Sequence, residues 1–140
     1  MSLAVYPALF FTVALLVTNA YFLMGGLPLL VLDHSTALDA RFVRTFFNIY
    51  YRAAFVNMVG ACLSFAALGR PSYAGGAVLL ALALVMLRRK LMQAMEQLGT
   101  QIQVNGSSAI WRFRQVHLMA LLINLLQLIL LVWALIKLSF

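Results

Sequence analysis

Acidic side chains are nearly missing from this chain: Asp33, Asp39 and Glu96 stand against 10 lysines and arginines in 140 residues. Charged residues of either sign make up only 9% of it, where a soluble domain carries about 25%. That shortage excludes a water-soluble globule and a disordered tail. It also excludes a nucleic-acid module, because the net charge of +7 comes from a few basic residues punctuating long apolar runs. Cysteine is almost missing too. The single Cys62 rules out an intrachain disulfide and any cysteine metal motif, and its apolar setting makes it a small buried residue. No acid lies in the first apolar run, so the usual mark of a small proton-coupled multidrug exporter is lacking. There is no glycine-rich phosphate loop, no HExxH and no nucleophile elbow. His34 stands in a loop and His117 in a helix, a poor pair for a bis-histidine haem. Met92, Met95 and Met119 read as apolar filler rather than a soft copper site. No metal and no cofactor is assigned.

Apolar residues are what the chain has in excess: 65% of the total, with a mean hydropathy of +1.01. About 20 mostly apolar residues in a helix cross the hydrocarbon core of a bilayer. Four segments meet that length, so the expectation is all-α: one integral membrane four-helix bundle over residues 1–140. The spans are about 3–32, 42–68, 73–103 and 109–138. The third is apolar only from Tyr73 to Leu87, and its helical pattern continues past Arg88, so it should project into the cytoplasm. The first has neither a basic leader nor a small-residue cleavage site and reads as a retained span. Asp33 to Asp39 is a polar link in which Ser35 or Asp39 caps the second helix. Gly69-Arg70-Pro71-Ser72 is a tight turn, and Asn105-Gly106-Ser107-Ser108 a turn with a serine cap.

Positive charge sets the expected orientation. Arg41, Arg44, Arg88, Arg89, Lys90, Arg112 and Arg114 flank the first and third connections, and only Arg70 and Lys137 flank the opposite side. Seven against two places both termini outside the cytoplasm, in a bacterial inner (plasma) membrane. The expected partners are the lipid bilayer, an amphipathic small molecule, and either a second copy or a larger membrane complex; nucleic acid is not among them.

Polar side chains in a span face the bundle interior more often than lipid. Thr12, Asn19 and Gly26 recur every seven residues on one face of the first helix, a pattern for close helix packing. Arg41, Arg44, Asn48 and Arg52 form one stripe on the second, with Tyr51 beside Arg52. Asn57 points the other way and reads as a helix-contact residue. Arg52 either snorkels to the headgroups or faces inward. The expectation taken is inward, within reach of Glu96 or His117, because a partner offsets much of the cost of a charge in the membrane. Glu96 shares a stripe with Arg89 and Gln93, and the fourth helix carries Trp111, Arg114, His117, Asn124 and Gln127. These stripes, with His34, converge on the cytoplasmic end. They define a pocket polar at its mouth and apolar below, with His117, Arg52 and Glu96 as catalytic candidates and Asn48, Tyr51, Trp111 and Arg114 as ligand contacts. A lipid, a quinone or a polycyclic aromatic suits that shape. The alternative is a non-catalytic accessory subunit of a larger membrane complex, and a haem or quinone anchor comes third.

Three short patches carry a family likeness: Gly25-Gly26-Leu27-Pro28, Asn48-Ile49-Tyr50-Tyr51-Arg52, and Trp111-Arg112-Phe113-Arg114-Gln115-Val116-His117. In these and in its four-span layout the chain resembles the anthrone-oxygenase-like group of small membrane proteins. Members of that group with a known activity oxygenate anthrone-type polyketides without a cofactor. The resemblance implies that Trp111 contacts substrate and that His117 abstracts a proton. The stretch between the third and fourth helices departs from the group.

Overall fold

The computed structural model describes residues 3–31, 33 and 36–139, with the backbone alone for residues 37, 103, 105, 138 and 139. Four helices follow in order: α1 (Val5–Val31), α2 (Ala37–Ala67), α3 (Pro71–Asn105) and α4 (Ser107–Ser139). Each is long and apolar enough to cross a membrane, and the chain is an integral membrane protein. At about 1.5 Å per residue the helices run roughly 40 to 52 Å. That exceeds a hydrocarbon core of about 30 Å, so the bundle projects beyond it. Helix α3 continues unbroken through Arg88 to Asn105, as its periodicity predicts.

The helices pack in a ring. Among the described residues α1 contacts α2 and α4, and α3 contacts α2 and α4, with no comparable contact across either diagonal. The inward face of α1 is Ala8, Thr12, Leu15, Asn19, Phe22 and Gly26. Spacings alternating between four and three keep one seam turned to the partner helices. Water does not drive this association, because lipid tails are as apolar as leucine; close packing and interhelical hydrogen bonds hold the helices together. Gly26 shows the closeness. A β-carbon there would sit 2.5 Å from Leu121 Cδ2 on α4. The outward faces carry Leu79, Leu82, Met86 and Leu126, exposed as a lipid-facing surface should be.

The α2–α3 turn is a Schellman closure. Arg70 N–H donates to Phe65 O (3.0 Å) and Gly69 N–H to Ala66 O (3.1 Å). Gly69 has φ 71°, in the left-handed region that glycine enters without a β-carbon penalty. Pro71 follows at the first turn of α3, where its missing N–H costs nothing. The cap of α2 differs from expectation. Thr36 is the capping residue, its side chain accepting from Asp39 N–H at 3.2 Å. Of the two expected caps, Asp39 stands inside the first turn of α2, and Ser35 lies outside the described residues, as does His34.

Candidate functional site

The polar side chains that matter most in the structure are in the middle of the bundle. Asn19 on α1, Tyr50 on α2 and Asn124 on α4 are all buried. Tyr50 OH donates to Asn19 Oδ1 at 3.1 Å. Asn124 Nδ2 donates to Tyr50 OH at 2.7 Å and also to Asn19 Oδ1. Gln127, one turn further along α4, brings Oε1 to 3.4 Å from the same phenol. A phenol has one proton, so Asn19 and Gln127 share it in alternation. The ring of Tyr50 stacks on Phe22 with centroids 3.9 Å apart, so the hydroxyl has apolar surroundings and depends on these amides. A second clasp joins α1 and α2, Asn57 Nδ2 donating to Thr18 Oγ1 at 3.2 Å.

The sequence-predicted residues are distributed differently from the expectation. His117 is fully buried, its ring edge-on to Phe47 at 5.1 Å. Tyr51 is buried beside Tyr50. Arg114 is half-buried, and Trp111 is exposed. Asn48 does face a neighbouring helix, and its Oδ1 accepts from Arg88 Nη2 (2.8 Å) and Nε (3.3 Å). Glu96 pairs with Arg44, Nη1 to Oε1 3.1 Å, not with Arg52. Both partners of that pair are substantially exposed, so it contributes little to stability.

The inward expectation for Arg52 is overturned: it is exposed and has no ion-pair or hydrogen-bond partner among the described residues. The register from the α2–α3 turn explains the exchange of partners. Glu96 follows Ser72 by 24 positions and Arg44 precedes Gly69 by 25, whereas Arg52 precedes it by only 17. Two helices rising equally from one turn bring Arg44 level with Glu96 and leave Arg52 about 10 Å short. An exposed arginine at that height suits snorkelling, in which the stem lies along lipid and the guanidinium reaches the headgroups. We expect Arg52→Leu to change the unfolding free energy by no more than about 0.5 kcal/mol in a denaturant titration, the range of an unpartnered surface substitution.

The opposite end, beside the α2–α3 turn, holds a cavity of about 520 Å³ among all four helices. Thr12, Leu15, Met58, Phe65, Ala77 and Leu131 form its inner wall. Ser72, Tyr73 and Lys137 stand where the helices end, and Trp133 lines the α4 side. The wall is almost wholly apolar, with one cation and two hydroxyls at its outer edge. The sequence pattern does not point here, because the residues come from four helices, nearly all are apolar, and Lys137 reads by itself only as a charge flanking the last span.

Comparison with known proteins finds no matching family model, no similar curated protein and no similar solved structure.

Proposed function

We propose that this membrane protein binds an amphipathic molecule with a lipid-like or aromatic body, held in the cavity beside the α2–α3 turn. The observation that supports it is the cavity itself. About 520 Å³ of apolar space, with Ser72, Tyr73 and Lys137 at one edge, has the size and lining of a small-molecule site, typically about 300–1,000 Å³. An apolar body lies against Leu15, Met58 and Leu131, and an anionic or hydrogen-bonding head lies near Lys137. The charge asymmetry supports an orientation with the basic end in the cytoplasm and both termini outside, in a bacterial inner membrane. The reading is one of binding. Trp111 and His117, to which the anthrone-oxygenase-like resemblance assigns chemistry, are not in the lining of this cavity.

Trp133 lines the cavity and offers a direct test. The chain has 2 tryptophans, so Trp111→Phe leaves Trp133 as the sole reporter. Dibromostearate added to the detergent-purified protein should quench Trp133 with a saturable dependence. Gly76 also lines the cavity, and a β-carbon there meets nothing within 4 Å. Gly76→Leu should therefore occupy the space, leave the fold intact and abolish the saturable component. Equal saturable quenching in the Gly76→Leu protein would count against the cavity as the site.

A further inference from the structure

The basic end carries a second feature, independent of the cavity. Arg41, Arg44, Asn48, Arg52, Phe55 and Val59 follow one another on α2 at spacings of three, four, four, three and four, so they form one stripe. Arg41, Arg44 and Asn48 line pockets between α2 and α3, so the stripe runs beside α3. The pocket at Asn48, about 290 Å³, is lined by Arg44, Thr45, Asn48, Arg88, Met92 and Glu96. Arg52 is not in that lining, but it stands seven residues beyond Thr45 and so leaves α2 in nearly the same direction. Its height matches that of Arg88: Arg52 precedes Gly69 by 17 positions, and Arg88 follows Ser72 by 16. The two cations therefore flank the end of the pocket nearer the α2–α3 turn. Neither has an acid partner among the described residues. Arg88 donates to Asn48 Oδ1 only, through Nε at 3.3 Å and Nη2 at 2.8 Å. Asn48 precedes Gly69 by 21 positions. The Arg88 guanidinium is thus drawn about 7 Å toward the basic end, against the usual lean of a helical side chain. Glu96 lies at the other end of the pocket, where Arg44 takes its charge.

We propose that Arg52 and Arg88 hold the phosphate of an anionic phospholipid between α2 and α3, with an acyl chain against Phe55 and Val59. Two cations at one height with no acid between them repel. A phosphate between them turns that cost into attraction, and each guanidinium matches phosphate oxygens with paired N–H donors. The depth suits a lipid. Arg88 is the first charge after the apolar run from Tyr73 to Leu87. Its backbone stands about 24 Å along α3 from Ser72, and the 7 Å reach of its side chain brings the charge to the edge of a hydrocarbon core about 30 Å thick. The order of residues suits a lipid too. The α2 stripe is polar from Arg41 to Arg52 and apolar at Phe55 and Val59, which are 41% and 39% exposed. That order runs along a single helix. An inorganic anion makes no use of the apolar positions, whereas a phospholipid covers both parts. Basic pockets between membrane helices are suited to anionic headgroups.

The test is native mass spectrometry of the full chain with equimolar phosphatidylglycerol and phosphatidylcholine. The wild-type protein should retain phosphatidylglycerol preferentially. Arg52→Gln, at an exposed position that leaves the fold intact, should reduce that preference about fivefold, the effect of one cation near a headgroup. Arg52→Gln with Arg88→Gln should reduce it about 30-fold, the effect of two. Arg52→Lys keeps the charge and should keep most of the preference. Arg89→Gln with Lys90→Gln removes the same charge from other faces of α3 and should leave the preference intact. Four results would overturn the proposal: no preference in the wild-type protein, an unchanged preference in the Arg52 and Arg88 double variant, an equal loss in the charge control, or displacement of the lipid by millimolar inorganic phosphate. None of these outcomes depends on whether dibromostearate reaches Trp133.

Discussion

Phe47→Ala should lower the unfolding free energy by about 2 kcal/mol, the cavity cost of about 24 cal/mol per Å³ over a void of roughly 100 Å³. Phe47 is 0% exposed on α2 and meets helices on two sides. Its ring is edge-on to Phe22 of α1 at 4.8 Å and to His117 of α4 at 5.1 Å. Truncation therefore loosens α2 from both neighbours at once. The cost does not come from transfer out of water, since the unfolded reference in lipid is equally apolar. It comes from the dispersion attraction forfeited around a void that the packed helices cannot close. Unfolding in a sodium dodecyl sulfate titration, followed by far-ultraviolet circular dichroism, measures the change. Ile49, two positions along the same helix, is 63% exposed. Ile49→Ala should shift the transition by less than about 0.5 kcal/mol. A loss at Phe47 as small as that at Ile49 would show that the bundle does not close around it.

The second large effect is expected at the buried amides. Asn124→Leu removes the donor to both Tyr50 OH and Asn19 Oδ1 and leaves those atoms buried with fewer partners. The expected loss is about 1–3 kcal/mol, because an unsatisfied buried group costs more than a made bond contributes. Interhelical hydrogen bonds in membranes average only about 0.6 kcal/mol, so a loss near the upper limit indicates a network rather than one bond. Asn19→Leu alone should be similarly costly. The double substitution should cost less than the sum of the two, with a coupling of about 0.5–3 kcal/mol. The reason is that it removes both amides together and leaves only the phenol of Tyr50, which still reaches Gln127 at 3.4 Å. Strictly additive losses in the same titration would mean that the two amides do not act through each other.

Much of the architecture is legible in the sequence because it depends on local chemistry. Runs of apolar residues longer than a bilayer core specify spans, and the Gly69-Arg70-Pro71 sequence specifies a closure that only glycine and a following proline accommodate well. The heptad spacing of Thr12, Asn19 and Gly26 marks the inward face of α1, because a helix repeats its direction nearly every seven residues. Asn57 is likewise legible as a helix-contact residue, and it meets Thr18. The site is less legible. Tyr50 and Tyr51 are adjacent and both buried, and nothing in their identity says which one donates to Asn19. The phenol at 50 does so because α1 and α4 present amides at its level.

Arg52 and Glu96 show where reading by residue type reaches its limit. A charge within a span and one nearby acid invite pairing, but the ion pair goes to whichever cation stands at the same height. That height follows from two helices counted together from one turn, and it selects Arg44. The sequence alone determined that four long apolar helices cross a membrane, where the α2–α3 turn closes, and at which end the positive charge collects. Each of these rests on side chains close together in the chain. Only the tertiary structure decided which polar groups meet, that Arg52 lies outside, and that an apolar cavity opens beside the turn while a polar pocket opens between α2 and α3 at the basic end. Those outcomes depend on the relative rotation and register of neighbouring helices, which side chains from several helices settle jointly and no one segment encodes.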